Sequence, residues 1–391
     1  MNIQQRIAER LVQARNDAGM SASSVADALG VVRQTYSKFE QAQGAPNVTQ
    51  LIMLCKIFDK PIGYFYEQDD GDFRFAMRAD SPDLLDAKLR NELIEKLKNI
   101  NAIEEAAGAN LPEDLPNSMP IFTAKSEDLR RVEDKAMEER FRLGIGNASC
   151  VGDIVAILEA SDIRVIPFNR GETDKGMVFG FSAFSNKYGT AIYVNTHDSV
   201  SIERQIFSIC HEYAHLIFHR DEYDGPAKSY KTNGKAISPE EKVANHFAAC
   251  FLVPESALRK QFVMQGGGWA YEETVLRLKR IFRVSATCII DRLSKCNLIN
   301  QQNAKYLWAT ANRKRWMKHE PNPVREALNY KGRLTVLSRK AWEAGSASET
   351  FISELLELDR KALSNILGEW YDEQEAGKDE PQFMQVRNAQ K

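Results

Sequence analysis

Ile206-Phe-Ser-Ile-Cys-His-Glu-Tyr-Ala-His-Leu-Ile-Phe-His219 is the stretch that decides the fold. Read at helical periodicity with Ile202 just upstream, Ile202, Ile206, Ile209, Tyr213 and Ile217 make one apolar stripe. Arg204, Ser208, His211, His215 and His219 make a second, polar stripe turned away from it. The pattern predicts a half-buried helix over residues 200–219 whose histidines face a cleft. Residues four apart lie on one helical face, so His211 and His215 can bind one cation, with Glu212 between them directed toward a water at that cation.

A hydrolytic zinc site carries three protein ligands and keeps one position for water, so a third must come from elsewhere. His219 is one turn beyond His215, but it would have to bend the same helix to reach the metal. Glu241 opens a second predicted helix, 239–253, whose face Glu241, Ala244, Asn245, Ala248 is small and polar enough to approach the first. Glu241 is the preferred third ligand. The alternative is a capping box, Ser238-Pro-Glu-Glu241, in which Glu241 only starts its helix.

The run from Ile206 to His219, with Glu241-x-x-Ala-Asn-x-Phe-Ala-Ala249 and Val253-Pro254, resembles the ImmA/IrrE family of zinc metallopeptidase domains. The likeness covers about residues 150–300, including Phe282-x-Val-Ser285 and Arg292-Leu293 downstream. It implies a zincin-like fold, one Zn2+ per chain on His211, His215 and Glu241, and Glu212 as catalytic base. Tyr213-Ala214 stands where the family usually has Leu-Gly. Several members of the family cut a helix-turn-helix repressor after DNA damage or phage attack. A repressor-type substrate is therefore expected, conditional activity with a single-stranded nucleic acid trigger is admitted, and so is a homodimer. The chemistry is water attack on a peptide carbonyl, with Glu212 taking the proton and handing it to the leaving amine. The substrate is expected to lie extended beside a sheet edge. Ala191, Ile192, Tyr193, Val194 and Asn195 are the edge candidates. His219 is expected to orient substrate or to sit at the helix end, and Tyr193, Tyr230 and His219 are candidate transition-state donors.

Around this centre the chain has 391 residues with 52 Lys+Arg against 54 Asp+Glu, enough length for several domains and no global pull toward nucleic acid or anionic membrane. No apolar run approaches the roughly 20 residues of a membrane span, and the start lacks the apolar core of an export signal. Six scattered cysteines without a Cys-x-x-Cys pair fit reduced thiols. A cytoplasmic protein is expected. Residues 162–168 read as a strand, 177–184 and 191–194 as a hairpin around Asn186-Lys-Tyr-Gly189, and 271–299 as helix, turn, helix around Arg283-Val-Ser285. Asp83 to Ala107 is an amphipathic helix whose leucine stripe suits packing within the chain. Residues 313–340 carry nine Lys/Arg against two Glu, net +7, and 341–391 five against eleven acidic residues, net −6. With Trp308 and Trp316 nearby, the basic segment suits either a second nucleic-acid surface or, preferred, a solvated face neutralised by the acidic end.

Upstream, Val25, Ala26 and Leu29 pack inward, Gly30 makes a turn, and Arg33, Gln34 and Lys38 face outward on the next helix. With Phe39-Glu40, Pro46, Leu51 and Phe58, residues 5–66 resemble an XRE-type (Cro/repressor-like) DNA-binding domain, with those three side chains on DNA. Residues 1–60 are only +2, which implies modest nonspecific affinity and leaves protein docking open. The expected architecture is multidomain and mainly α. A helix-turn-helix bundle at 1–66 and a helical linker at 67–145 precede an α+β zincin-like metallopeptidase domain with a small sheet at 146–260. A helix-turn-helix-like extension at 261–310 and a helical C-terminal region at 311–391 follow. The leading functional reading is a zinc endopeptidase and regulator. The rivals are a DNA-binding regulator whose metallopeptidase-like domain senses a ligand, and a toxin-antitoxin component.

Overall fold

The computed structural model describes residues 3–60, 62–65, 74–76, 87–109, 115–174, 176–185, 188–220 and 237–378. The acidic break at 67–72, the start of the 83–107 helix, the centre of the hairpin turn and Tyr230 lie outside them. Contacts divide the chain into two compact units, Met1–Phe73 and Arg74–Lys391.

The first unit is all helical: α1 (Ile3–Asp17), α2 (Ala22–Leu29), α3 (Arg33–Glu40), α4 (Val48–Phe58) and a short 3-10 turn at Ile62–Phe65. Ser21 caps α2 by accepting the Ser24 N–H, and Gly30 ends it with φ 70°, a left-handed conformation that favours glycine. Val25, Leu29, Tyr36, Leu51, Leu54 and Phe65 form the core. Arg15 of α1 pairs with Glu40 of α3 at 2.6 Å. Arg33, Gln34 and Lys38 are all exposed on α3.

The second unit begins with β1 (Arg74–Ala76), α5 (Ala87–Ala106), α6 (Ser126–Arg142), α7 (Ile154–Glu159), β2 (Ile163–Phe168), β3 (Gly180–Ser185) and β4 (Gly189–Asn195). It continues with α8 (Ile202–Phe218), α9 (Pro239–Leu252), α10 (Glu255–Val263), α11 (Glu272–Phe282), α12 (Ala286–Lys295) and α13 (Gln301–Arg313). It closes with α14 (Gly332–Glu343), α15 (Glu349–Leu355) and α16 (Arg360–Lys378). One continuous core cluster runs from Ile121 to Leu328, so the helices after residue 260 share it with α8 and α9, and no gap in packing marks the boundaries expected at 145, 260 and 310. No helix of the described residues is long and apolar enough to cross a membrane.

The sheet order is β1-β3-β4-β2, with β1–β3 and β3–β4 antiparallel and β4–β2 parallel. Alternation sets its two faces. Ile192 and Val194 of β4, with Ile163 and Val165 of β2, join the core that contains α8. On the opposite face Tyr193 donates its hydroxyl to the Leu93 carbonyl of α5 at 3.1 Å and stacks on Phe181 at 4.7 Å. Below them Arg164 pairs with Glu104 of α5 at 2.8 Å, a contact buried at both ends. The leucine stripe of α5 is thus spent on packing within the chain, with Leu93 and Leu97 fully buried.

This topology corrects the expected substrate edge. Ala191 to Asn195 hydrogen-bonds to β2 on one side and, through most of its length, to β3 on the other, and all five residues are buried. Side chains apolar on both faces belong to a central strand, which has no edge to offer. Tyr193, fully buried against α5, is likewise removed from the cleft. Trp316 is buried in the core at 5% exposure, so it is no stacking platform beside the basic segment. The acidic end does meet that segment: Arg339 pairs with Glu373, and Lys331 with Glu357 at 3.3 Å.

Glu159, at the end of α7, is 8% exposed. Burial, opposed by the charge of Arg333, pushes its carboxyl up from 4.5 to about 7. A folded pKa above the unfolded one means that the stabilising protonation is present in full below pH 4.5 and is lost as pH rises through 7. Glu159→Gln should therefore stabilise the protein at pH 8 by about 1–3 kcal/mol, and much less at pH 5. Equal shifts in the thermal midpoint at the two pH values would contradict this.

Candidate metal centre

α8 starts at Ser201, whose hydroxyl accepts the Arg204 N–H at 3.3 Å, and α9 starts at Ser238 with Pro239 in its first turn. Both starts follow helix-capping chemistry. The two helices pack side by side and bring three of the expected residues together. His211 Nε2 and His215 Nε2 are 3.1 Å apart. The Glu241 carboxylate reaches them at 3.2 and 3.3 Å, one oxygen to each ring. Ligands about 2.0–2.1 Å from a tetrahedral zinc sit roughly 3.3 Å from one another. The three side chains therefore already converge at about the spacing of a zinc ligand set, and the group could hold a metal ion. The cap of α9 is one-sided: Ser238 accepts the Glu241 N–H at 3.3 Å, while the Glu241 side chain turns to the imidazoles.

Electrostatics agree with this arrangement. Burial opposes ionisation of Glu241, but the two imidazoles hold its carboxyl well below the usual range. Burial works against a charged His211 too, and the Glu241 carboxylate outweighs it, so the His211 pKa is raised.

The outer nitrogens of both rings are engaged. His211 Nδ1 lies 3.1 Å from Asn245 Oδ1. His219 Nε2 lies 3.0 Å from the Ile121 carbonyl, which can only accept. A neutral His219 therefore donates through Nε2, and its Nδ1, 2.9 Å from His215 Nδ1, accepts the His215 proton. That order leaves the Nε2 lone pairs of both ligand histidines pointing at the centre. His219 is 1% exposed and is the C-cap of α8, so of its two expected roles it takes the helix end and does not face a substrate, and its ring orients His215. His219→Phe keeps the volume and removes the acceptor. It should weaken zinc binding by about 10- to 100-fold with helix content unchanged; an unchanged zinc affinity would remove His219 from the site's support.

Glu212 is 8% exposed and faces β3, where the Ser182 hydroxyl donates to its Oε2 at 3.3 Å. Gly180 of β3 lies so close that a Cβ there would stand 2.9 Å from the Tyr193 carbonyl and 3.3 Å from Glu212 Cγ. Arg204, two turns before His211, lays its guanidinium over the Phe179 ring at 4.0 Å. Behind the motif, the Tyr213 hydroxyl donates to Glu139 at 2.6 Å and accepts from Arg142 at 2.8 Å. Burial opposes the charge of Glu139, and Tyr213, Arg142 and Lys135 together hold its pKa down. Tyr213 in place of leucine thus ties α8 to α6.

Asn245, Ser182 and the Ile121 carbonyl were not assigned from sequence. Asn245, four residues after Glu241, was legible as a neighbour on the same face. Ser182 and Ile121 carry no local signal, since only the sheet and the chain after Pro120 bring them to α8. Cys210 is buried in the core, where burial pushes its thiol up.

The model for the IrrE N-terminal-like domain, Peptidase_M78, matches residues 158–294, which include both histidines, Glu212 and Glu241. A helix-turn-helix model matches residues 11–65. No curated protein matches the chain. Among solved structures, a crystal structure of Bacillus thuringiensis PlcR in complex with the peptide PapR7 and DNA aligns at 10% identity over 95% of this chain and 98% of that one. Its TM-score is 0.18, too low to bear on the fold. The chain thus joins an XRE-type helix-turn-helix domain to an IrrE-like domain of the M78 peptidases, the ImmA/IrrE architecture.

Proposed function

We propose that the IrrE-like domain is a zinc-dependent endopeptidase that cuts a protein partner at one site, the partner being a helix-turn-helix repressor in a stress, DNA-damage or phage response. The observation that carries this reading is the convergence of His211, His215 and Glu241 at ligand spacing beside the carboxylate of Glu212. When bound, zinc supplies Lewis acidity toward a carbonyl oxygen and its attacking water. Glu212 takes the proton of that water and returns it to the departing amine. Ser182 orients the Glu212 carboxylate. Gly180, where a Cβ would meet the Tyr193 carbonyl and Glu212 Cγ, lets β3 come close to the base. Asn245 and His219 fix the two imidazoles. The test is cleavage of a helix-turn-helix repressor from the same genome by wild type and not by Glu212→Gln.

The helix-turn-helix domain fits a second part of the same reading, recognition of DNA through Arg33, Gln34 and Lys38. All three are exposed, polar and on one short helix whose other side packs through Tyr36 and Phe39. Replacing the three with alanine should abolish sequence-specific gel shifts and leave zinc content and peptidase activity at wild-type levels. If the wild-type domain selects no site from random duplexes, α3 is a docking surface for the substrate.

A further inference from the structure

α9 carries a second set of metal-binding side chains, about 140° around the helix from Glu241. His246 and Cys250 are one turn apart, so they share a face, and that face meets Glu133 of α6. The Cys250 sulfur lies 3.6 Å from His246 Nε2. A sulfur and an imidazole nitrogen on one tetrahedral zinc, at about 2.3 and 2.0–2.1 Å from it, stand roughly 3.5 Å apart. The pair is therefore at ligand separation, and one donor atom from each of Glu133, His246 and Cys250 lies within 4.8 Å of the other two.

We propose that Glu133, His246 and Cys250 form a second metal site, for zinc or another thiophilic divalent cation, that clamps α6 to α9. Carboxylate and thiolate supply two negative charges toward a dication, and the mixed nitrogen, sulfur and oxygen set suits zinc. Binding displaces the Cys250 proton to solvent. Arg292 of α12 sets up the donors from outside. Its guanidinium, 1% exposed, donates to Cys250 Sγ at 3.2 Å, to Glu133 at 3.2 Å and to the Val253 carbonyl at 3.0 Å. Such donors stabilise a metal-bound thiolate and carboxylate without occupying the metal. Cys250 and His246 are buried, while the Glu133 side chain is 35% exposed. The clamp acts on the helix that supplies Glu241 and Asn245, so it is a structural site supporting the first centre, with no substrate of its own.

Cobalt(II) titration of the purified full chain distinguishes the two centres, because the set His211, His215, Glu241 contains no sulfur. Two equivalents should bind, and one of them should bring the intense near-ultraviolet absorption of thiolate-to-cobalt charge transfer. That absorption should persist in His211→Ala, disappear in Cys250→Ser, and need at least about tenfold more cobalt in His246→Gln. Should Cys250→Ser not fold, Glu133→Gln, at a half-exposed position, should still weaken the charge-transfer binding. No charge-transfer band in wild type, a band that survives Cys250→Ser, or a Glu133→Gln titration identical to wild type would each overturn the site. None of these readouts depends on peptidase activity.

Discussion

Glu241→Ala should strip zinc from the His211/His215 pair. Two imidazoles remain, and a three-ligand open site reduced to two protein ligands loses more than the about 10- to 100-fold that follows removal of an outer partner. The loss should be local. Ser238 still accepts the N–H of residue 241, because that bond uses the backbone, and Pro239 still preorganises the first turn. Helix content should hold while zinc competition with a chelator shows the equivalent gone. If the affinity is that of wild type, Glu241 only starts its helix and the third ligand lies elsewhere. His219 could fill that gap only by giving up the Ile121 carbonyl and His215.

Glu212→Gln should do the opposite, keeping the metal and losing turnover. Glutamine has the size of glutamate and can still accept from Ser182, but it cannot take a proton from water. Loss of a general base costs about 10² to 10⁴ in rate. Zinc affinity should stay within a few-fold of wild type, since Glu212 is not among the converging donors. The pair of variants separates the two roles: one loses metal and hence activity, the other loses activity with metal in place. A Glu212→Gln protein that still cuts its partner would assign the base elsewhere.

The centre was legible because its chemistry is written in local periodicity. Two histidines four apart on a helix with an apolar stripe on its other side must share a face, and a Ser-Pro start followed by small residues marks the second helix. The sheet was read less well. Ala191 to Asn195 is no edge, although tyrosine and asparagine interrupt its apolar residues. Both are buried: Tyr193 reaches the backbone of α5, and Asn195 is held by the carbonyls of Arg170 and Val178. A polar atom at the tip of a side chain therefore gave a false sign of exposure. β1 was missed outright, being three residues in a stretch with no alternation long enough to detect.

His219 shows the same limit. Its place on the polar stripe was visible, but its partner is a backbone carbonyl almost a hundred residues upstream, brought in by the segment after Pro120. Glu133 lies equally far from His246 and Cys250, so only the His-x-x-x-Cys spacing on α9 could have pointed to that cluster. The tie from Tyr213 to Glu139 and Arg142 depends on α6 packing against α8, a tertiary fact without a local code. The supporting residues of both metal-binding sets come from distant segments, whereas the helix motif itself is contiguous.

The central claim is that this protein cuts a protein, and intact-mass analysis tests it most directly. The zinc-loaded full chain is incubated with helix-turn-helix repressors from the same genome, with and without single-stranded DNA. The account predicts two fragments whose masses sum to the repressor plus one water, from a single peptide bond, with wild type and none with Glu212→Gln. An intact repressor in every arm, together with normal gene regulation by Glu212→Gln in cells, would contradict it and leave a regulator that senses without cutting.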